Sequence, residues 1–246
     1  MADLYLGIET GGTKVVAAVG RVEDGPPDLV APEVVVPTSY EPDTMLDGLF
    51  ERVSEIAVPS DLRAIGIGGF GPIDPRTGTM LDTPQPGWGG FELGDAIRRR
   101  WGLPMAIDTD VNAAALAEWR WGSAAGTSVA VYLTVGTGIG GGLIVGGRTV
   151  RGLLHPEMGH VWIPRHPDDD FEGACGSHGA CFEGLAAGPA IRRRWGTPGE
   201  DLPDGHPAWE MVAWYLGRGL AQICLSTSPE VAVLGGGVGG RDLVPA

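Results

Sequence analysis

Apolar and polar positions alternate in short blocks along the chain, and most blocks stop at glycine. Leu4–Ile8 is a brief apolar run that halts at Gly11-Gly12, and Val15–Gly20 follows, so the two read as strands joined by a glycine turn. A loop rich in Asp, Gly and Pro, Asp24–Asp28, leads to a third β-rich stretch, Leu29–Val36. Over Asp43–Val58 the residues Met45, Leu46, Leu49, Phe50, Val53 and Ile56 recur at helical spacing. Ala64–Ile67 then predicts a buried strand running into the loop Gly68–Pro72. Glu92–Trp101 predicts a helix and Met105–Ile107 a short strand.

The same succession returns in the second half. Asn112–Trp121 is alanine-rich and helical, with Asn112 placed as an N-cap. Ser128–Val135 predicts a strand, Gly136–Gly142 a glycine turn and Leu143–Val145 a second strand. Beyond Arg148–Arg151 lies a polar segment with clustered His and Cys. Helices follow over Leu185–Trp195 and Pro207–Ser226, and a last strand, Val231–Leu234, ends in Gly235-Gly236-Gly237. A hairpin with a glycine turn, then helices and a strand ending in glycine, thus occurs twice. That predicts an α/β chain of two similar lobes, residues 1–110 and 111–246, around a cleft.

Composition narrows this picture. The 246 residues are enough to bury a large core without disulfides. Glycine supplies 42 of them, about 17%, far above ordinary usage, but no G-X-Y period runs through the chain, so collagen is excluded. A formal charge of −14 argues against a nucleic-acid surface. No apolar run reaches membrane-spanning length, and the start lacks a basic n-region and a cleavage site. A cytoplasmic protein is expected, with neither membrane nor nucleic acid as partner. Of the 17 basic residues only Lys14 is a lysine, and it sits inside the first glycine turn.

Gly7–Lys14 gathers a carboxylate (Glu9), two hydroxyls, free backbone and one cation, a combination suited to phosphate. Thr134–Gly142 repeats it without the cation, although either stretch could also serve only as a tight hairpin. Gly136, Gly138 and Gly141 satisfy G-x-G-x-x-G, but Leu143-Ile144-Val145 follows where a dinucleotide site needs a helix. Neither turn matches G-x-x-x-x-G-K-[ST], so a P-loop is excluded too. Asp110 and Asp108 stand at the end of a strand and before a helix; either could be a base, and Asp110 could be only a cap. Four of five histidines and two of three cysteines fall between residues 155 and 181. Cys175-x-x-His178-x-x-Cys181 with His160 upstream gives four nitrogen and sulfur ligands, the set zinc takes in closed structural sites. His155 and His166 are extras to that set, and Cys224 reads as core.

Gly7–Lys14, Asp108–Ala115, Leu133–Gly142 and Glu157-Met158-Gly159-His160 together resemble the signatures of the ROK sugar kinases. Phe70–Asp74 and Thr83–Trp88 resemble the family's bacterial fructokinase branch. The resemblance implies a two-lobed actin-like ATPase fold, a duplicated ribonuclease-H-like architecture, with a zinc-binding loop. It implies ATP-dependent phosphorylation of a hexose 6-hydroxyl, fructose foremost, with glucose or mannose as the broader alternative. Asp110 aligns with the general base; Thr109 stands where many relatives have asparagine. Glu9, Gly11, Gly12, Thr13, Lys14, Gly136, Thr137, Gly138, Gly235, Gly236 and Gly237 align with positions that bind ATP and Mg²⁺, Glu9 replacing the usual aspartate. Gly71, Gln85, Asp110, Glu157, His160 and Glu183 align with sugar-binding positions. His160 also ligates zinc with Cys175, His178 and Cys181, His178 replacing one cysteine. The partners implied are the sugar, ATP and a second copy in a homodimer. The family's repressors carry a DNA-binding helix-turn-helix ahead of the first strand, which three residues and an acidic balance do not fit. Relatives continue beyond the last glycine loop, so a non-catalytic sugar-binding relative is the other class of function expected.

Overall fold

The computed structural model describes residues 3–23, 25–83 and 85–241; Asp24 of the first loop, Pro84 of the fructokinase-like segment and residues 242–246 lie outside them. The chain forms two compact units. The first comprises the residues up to Ala113 together with Arg151–His155, and the second comprises 114–150 and the residues from Pro156 onward.

In the first unit, β1 (Asp3–Thr10) and β2 (Lys14–Val22) pair as an antiparallel hairpin from Asp3↔Val22 to Thr10↔Val15. Period-two alternation buries Leu6, Ile8 and Thr10 on one face of β1. The expected stretch Leu29–Val36 is two short strands, β3 (Asp28–Leu29) and β4 (Val34–Pro37), both on β2. Pro32 lies between them, and it has no N–H to give the ladder. Helix α1 (Pro42–Ser54) buries Met45, Leu46, Leu49 and Val53 against the sheet. Leu46 and Leu49 are fully buried, a contribution of about 1.5–3 kcal/mol each. The helix stops four residues short of Val58: Ile56 N and Ala57 N both fold onto Val53 O, ahead of Pro59. β5 (Leu62–Gly69) runs parallel to β1, and after α2 (Leu93–Trp101) β6 (Met105–Thr109) runs parallel to β5. The sheet order is β3-β2-β1-β5-β6, with β4 also on β2. Register fixes Thr10 beside Gly69 and Gly69 beside Thr109, so three parallel strands end level. Helix α3 (Asp110–Trp121) starts at that edge.

The second unit repeats the hairpin with β7 (Val129–Val135) and β8 (Ile139–Val145), flanked by β9 (Arg148–Thr149). Helices α4 (Phe182–Ala186), α5 (Gly188–Trp195) and α6 (Ala208–Thr227) precede β10 (Val231–Gly235), which pairs parallel to β7, and α7 (Gly236–Gly239). The sheet order is β10-β7-β8-β9. α6 buries Val212, Tyr215, Leu216 and Ile223, and Phe182 of α4 packs in the same core. Cys224, expected in that core, is half-buried.

Two departures from the sequence pattern shape the site. The turn expected over Gly136–Gly142 is shorter, because β8 already begins at Ile139 and its glycines admit Met158. A Cβ on Gly141 would lie 2.7 Å from Met158 Sδ. The helix expected over Leu185–Trp195 is broken at Ala187, whose ψ of 168° is extended. Pro189 cannot continue a helix from behind, and the break leaves Gly188 N to donate to Gly136 O at 2.7 Å.

Candidate active site

The level ends of β1, β5 and β6 form the edge where open α/β sheets place ligands. Gly11 N donates to Lys14 O at 2.9 Å and closes the first glycine turn. Thr38 braces it from β4's end, its N donating to Thr13 O (3.0 Å) and its Oγ1 to Gly11 O (2.6 Å). Glu9 and Lys14 are exposed there, and Gln85 Oε1 lies 3.6 Å from where a Cβ on Gly12 would stand.

The two aspartates of this edge have different environments. Asp108 is fully engaged: Thr109 N and Asn112 Nδ2 each donate to Oδ1 at 2.8 Å, and Arg151 Nη2 donates to Oδ2 at 2.6 Å. Asp110 accepts from Val111 N at 2.8 Å. Burial raises its pKa above the usual aspartate range; the Val111 N–H opposes that, the nearby Glu9 charge adds to it, and His155 opposes it. A carboxylate whose pKa is raised is a stronger base than an ordinary one. The cap of α3 is Thr109, whose Oγ1 accepts from Asn112 N at 3.2 Å; Asn112, expected as the cap, is buried inside the first turn. His155 lies in this unit, outside the metal-ligand set it was expected to extend. Its Nε2 is 3.0 Å from where a Cβ on Gly71 would be, so glycine at 71 makes room for the imidazole.

In the second unit Gly136 N donates to Gly138 O at 2.9 Å, and Glu183 Oε2 accepts from Ile139 N at 2.9 Å. Glu183 comes from the first turn of α4, so this carboxylate holds the mouth of the β7–β8 hairpin. At the end of β10, Gly236 has φ +85°, and a Cβ on it would lie 2.5 Å from Val135 O; no other residue fits. A cleft of about 860 Å³ opens here, lined by Gly136, Thr137, Gly188, Gly237 and Trp209 and by the arginines 192, 193 and 241. Arg241 lies 4.2 Å above the Trp209 ring and pairs with Asp204 at 3.0 Å.

Cys175 and Gly179 exchange backbone hydrogen bonds in a tight turn, which brings His178 back over the loop. Cys175 Sγ lies 3.8 Å from both His160 Nδ1 and His178 Nδ1, and Cys181 Sγ lies 3.5 Å from His160 Nδ1. The four donor atoms fall within 4.8 Å of one another. Zinc bonds of the usual length set tetrahedral S–N edges of roughly 3.6 Å, so these residues fit that ion. Burial pushes the Cys181 thiol up to about 11, with the neighbouring Cys175 adding to it. The other ring nitrogen of His160, Nε2, faces Glu157 at 3.9 Å. His166 stays outside the cluster: its Nδ1 accepts from Asp168 N at 3.1 Å. The loop is anchored by Asp169, which pairs with Arg194 at 2.9 Å and accepts from the Tyr215 hydroxyl. Against its burial, those two donors hold the Asp169 carboxyl below the usual range.

A family model described as the ROK family matches residues 5–245. The chain belongs to the ROK family. A relative from Bacillus subtilis (strain 168), provisionally named a fructokinase, is 46% identical over 94% of this chain and 76% of its own. The fructokinase of Zymomonas mobilis subsp. mobilis is 42% identical over 96% of this chain and 80% of its own. The ROK glucokinase of Streptomyces griseus, solved with glucose and AMPPNP, superposes with a TM-score of 0.75 at 30% identity, over 96% of this chain and 83% of its own. The two mixed sheets are those of the actin-like ATPase fold that ROK proteins share.

On this ROK fold the residues picked out by sequence fall into groups. Glu9, Gly11, Gly12, Thr13, Lys14, Gly71, Gln85 and Asp110 all belong to the first unit, gathered about the strand ends and the first turn. Gly136, Thr137 and Gly138 lie beside Gly235, Gly236 and Gly237, and Glu157 and Glu183 flank the His160 knuckle. Sequence reasoning missed Thr109 as the cap, His155 at Gly71, and the cleft residues Arg192, Arg193, Trp209 and Arg241. A signal for the arginines was present: Ala-Ile-Arg-Arg-Arg-Trp-Gly-x-Pro occurs twice, at 96–104 and 190–198.

Proposed function

We propose that this chain is an ATP-dependent fructokinase, transferring the γ-phosphoryl group of ATP to the 6-hydroxyl of fructose. The observation that carries the reading is identity of 42–46% to relatives named as fructokinases over nearly the whole chain, with a half-buried Asp110 of raised pKa at the aligned base position. Asp110 accepts the proton of the attacking hydroxyl while Asp108, held by three partners, fixes the start of α3. Gly12–Thr13 and Thr137–Gly138 offer backbone N–H groups to the phosphates, and Gly235–Gly237 bounds the adenosine. Glu157, Glu183 and the Nε2 face of His160 hydrogen-bond sugar hydroxyls. The two neighbouring carboxylates Glu9 and Asp110 fit a hydrated Mg²⁺, which Glu9 would hold through water; the ion neutralises phosphate charge when bound. Zinc on His160, Cys175, His178 and Cys181 has four protein ligands and serves structure. No described helix is long and apolar enough to cross a membrane, and the three free thiols support a cytoplasmic setting.

The test is ATP-dependent ADP release over a panel of fructose, glucose and mannose with Mg²⁺. Fructose should give the highest kcat/KM. Preference for glucose would replace the fructokinase assignment with a broader hexokinase, and absence of turnover with detectable sugar binding would replace catalysis with sugar sensing.

A further inference from the structure

The nonapeptide Ala-Ile-Arg-Arg-Arg-Trp-Gly-x-Pro closes one helix in each unit, α2 and α5, and both helices end on a left-handed glycine, Gly102 (φ 63°) and Gly196 (φ 72°). The matched sequence and the shared left-handed glycine end leave the flanking residues and the surroundings as the variables. In the first unit all three arginines have acidic partners. Arg98 pairs with Asp95, Arg99 with Asp43 at 3.8 Å, and Arg100 with Asp43 at 3.0 Å and Asp47 at 2.8 Å. In the second unit only the third arginine has one: Arg194 pairs with Asp169. Among the described residues the side chains of Arg192 and Arg193 make no hydrogen bond or ion pair, and both are exposed along the cleft that also holds Gly136, Thr137 and the carboxylate of Glu200.

Two unpaired guanidiniums side by side repel each other, and this chain has acid to spare, with 31 Asp and Glu against 17 Lys and Arg. Their geometry suits a ligand of high negative charge. α5 begins at Gly188, bonded to the second glycine turn, and Arg192 stands one helical turn further on, about 6 Å along the axis. An arginine side chain spans such a distance, and its planar fork binds phosphate oxygens in pairs.

We propose that Arg192 and Arg193 are donor-binding residues that clamp the phosphate chain of the phosphoryl donor against the second glycine turn. They add side-chain cations to a unit whose turn, unlike the first, has no lysine. The proposal rests on the cleft being the donor site.

The experiment compares Arg192→Ala/Arg193→Ala with Arg98→Ala/Arg99→Ala in the full chain, reading KM for ATP and for fructose separately. It also reads direct calorimetric binding of inorganic tripolyphosphate, which needs no turnover. The first variant should raise the KM for ATP about tenfold, leave the KM for fructose within twofold and weaken tripolyphosphate binding about tenfold. The second should leave all three within twofold. Lysine at both cleft positions should restore most of the loss, separating lost charge from misfolding. A KM for ATP within twofold of wild type overturns the clamp. Weaker ATP binding with unchanged tripolyphosphate binding also overturns it, because the arginines would then act on the nucleoside. Wild-type protein that binds tripolyphosphate through these arginines yet phosphorylates no sugar would sink the fructokinase reading and keep the clamp.

Discussion

The two glycine-turn hairpins of this chain share antiparallel pairing and a parallel third strand on the first strand of each, yet they present different chemistry. β1–β2 carries ionisable groups at its mouth: Glu9 beside the turn, Lys14 inside it and Asp110 at the level end of β6. β7–β8 presents backbone and depends on neighbours to hold it. Glu183 takes the Ile139 N–H, Gly188 takes the Gly136 carbonyl, and Gly236 comes within touching distance of Val135. On the proposed function, the first hairpin is therefore a site that works through its charges. The second depends on rigidity, and the His160, Cys175, His178 and Cys181 cluster and the Asp169–Arg194 pair both brace the loop that delivers Glu183.

That contrast breaks most sharply at Asp110. Asp110→Asn should lower kcat by about 10²–10⁴-fold with fructose binding retained, as expected for removal of a general base. Because the folded pKa is raised, the ionised carboxyl destabilises the fold at pH above that pKa. The asparagine variant should accordingly melt higher at neutral pH, and near wild-type turnover or a lower melting point would refute the assignment. In the second unit the sign is opposite. Asp169, with its pKa depressed, contributes stability above the ordinary carboxylate pKa that is lost as pH falls through the folded value. Asp169→Asn leaves Arg194 buried without its counter-charge and should cost about 3–5 kcal/mol at pH 7. Denaturation curves from pH 7 down to pH 3 should show a shallower loss for the variant than for wild type; parallel curves would contradict the anchor.

Smaller effects sharpen the comparison further. Cys175→Ser with Cys181→Ser should abolish metal content by elemental analysis and lower the melting temperature by about 5–10 °C, a few kcal/mol in a chain of this size. Unchanged metal content would refute the knuckle. Glu183→Ala strands the Ile139 N–H, a cost of about 1–3 kcal/mol, whereas Glu183→Gln keeps an acceptor and should recover most of the stability. Wild-type stability in Glu183→Ala would show that this carboxylate braces nothing.

Much of this was legible in the chain because the signals are local. A strand that stops at glycine needs no partner to be recognised, and Met45, Leu46, Leu49 and Val53 show their helical period wherever they lie. Errors came where a residue's setting is made by distant sequence. Pro32 and Pro189 divided elements that the apolar pattern ran together. Asn112 has the chemistry of a cap, but the oxygen that caps α3 belongs to Thr109, because β6 extends two residues further than its apolar run. His155 resembles a ligand in sequence and is packed on Gly71 instead.

The residue pattern by itself determined the α/β class, the repeated hairpin and the residue types able to hold a zinc ion, since these follow from periodicity, composition and spacing, while the motifs Gly7–Lys14, Asp108–Ala115 and Leu133–Gly142 carried the resemblance to the family. Only the tertiary structure showed how the surroundings of Asp108 differ from those of Asp110, and those of one copy of the arginine nonapeptide from those of the other. What most separates the members of each pair is which charges other segments bring within a few ångströms: Arg151 for one aspartate, Asp43 and Asp47 for one set of arginines. Electrostatic environment is set by proximity in space, and proximity in space is what a linear pattern does not record.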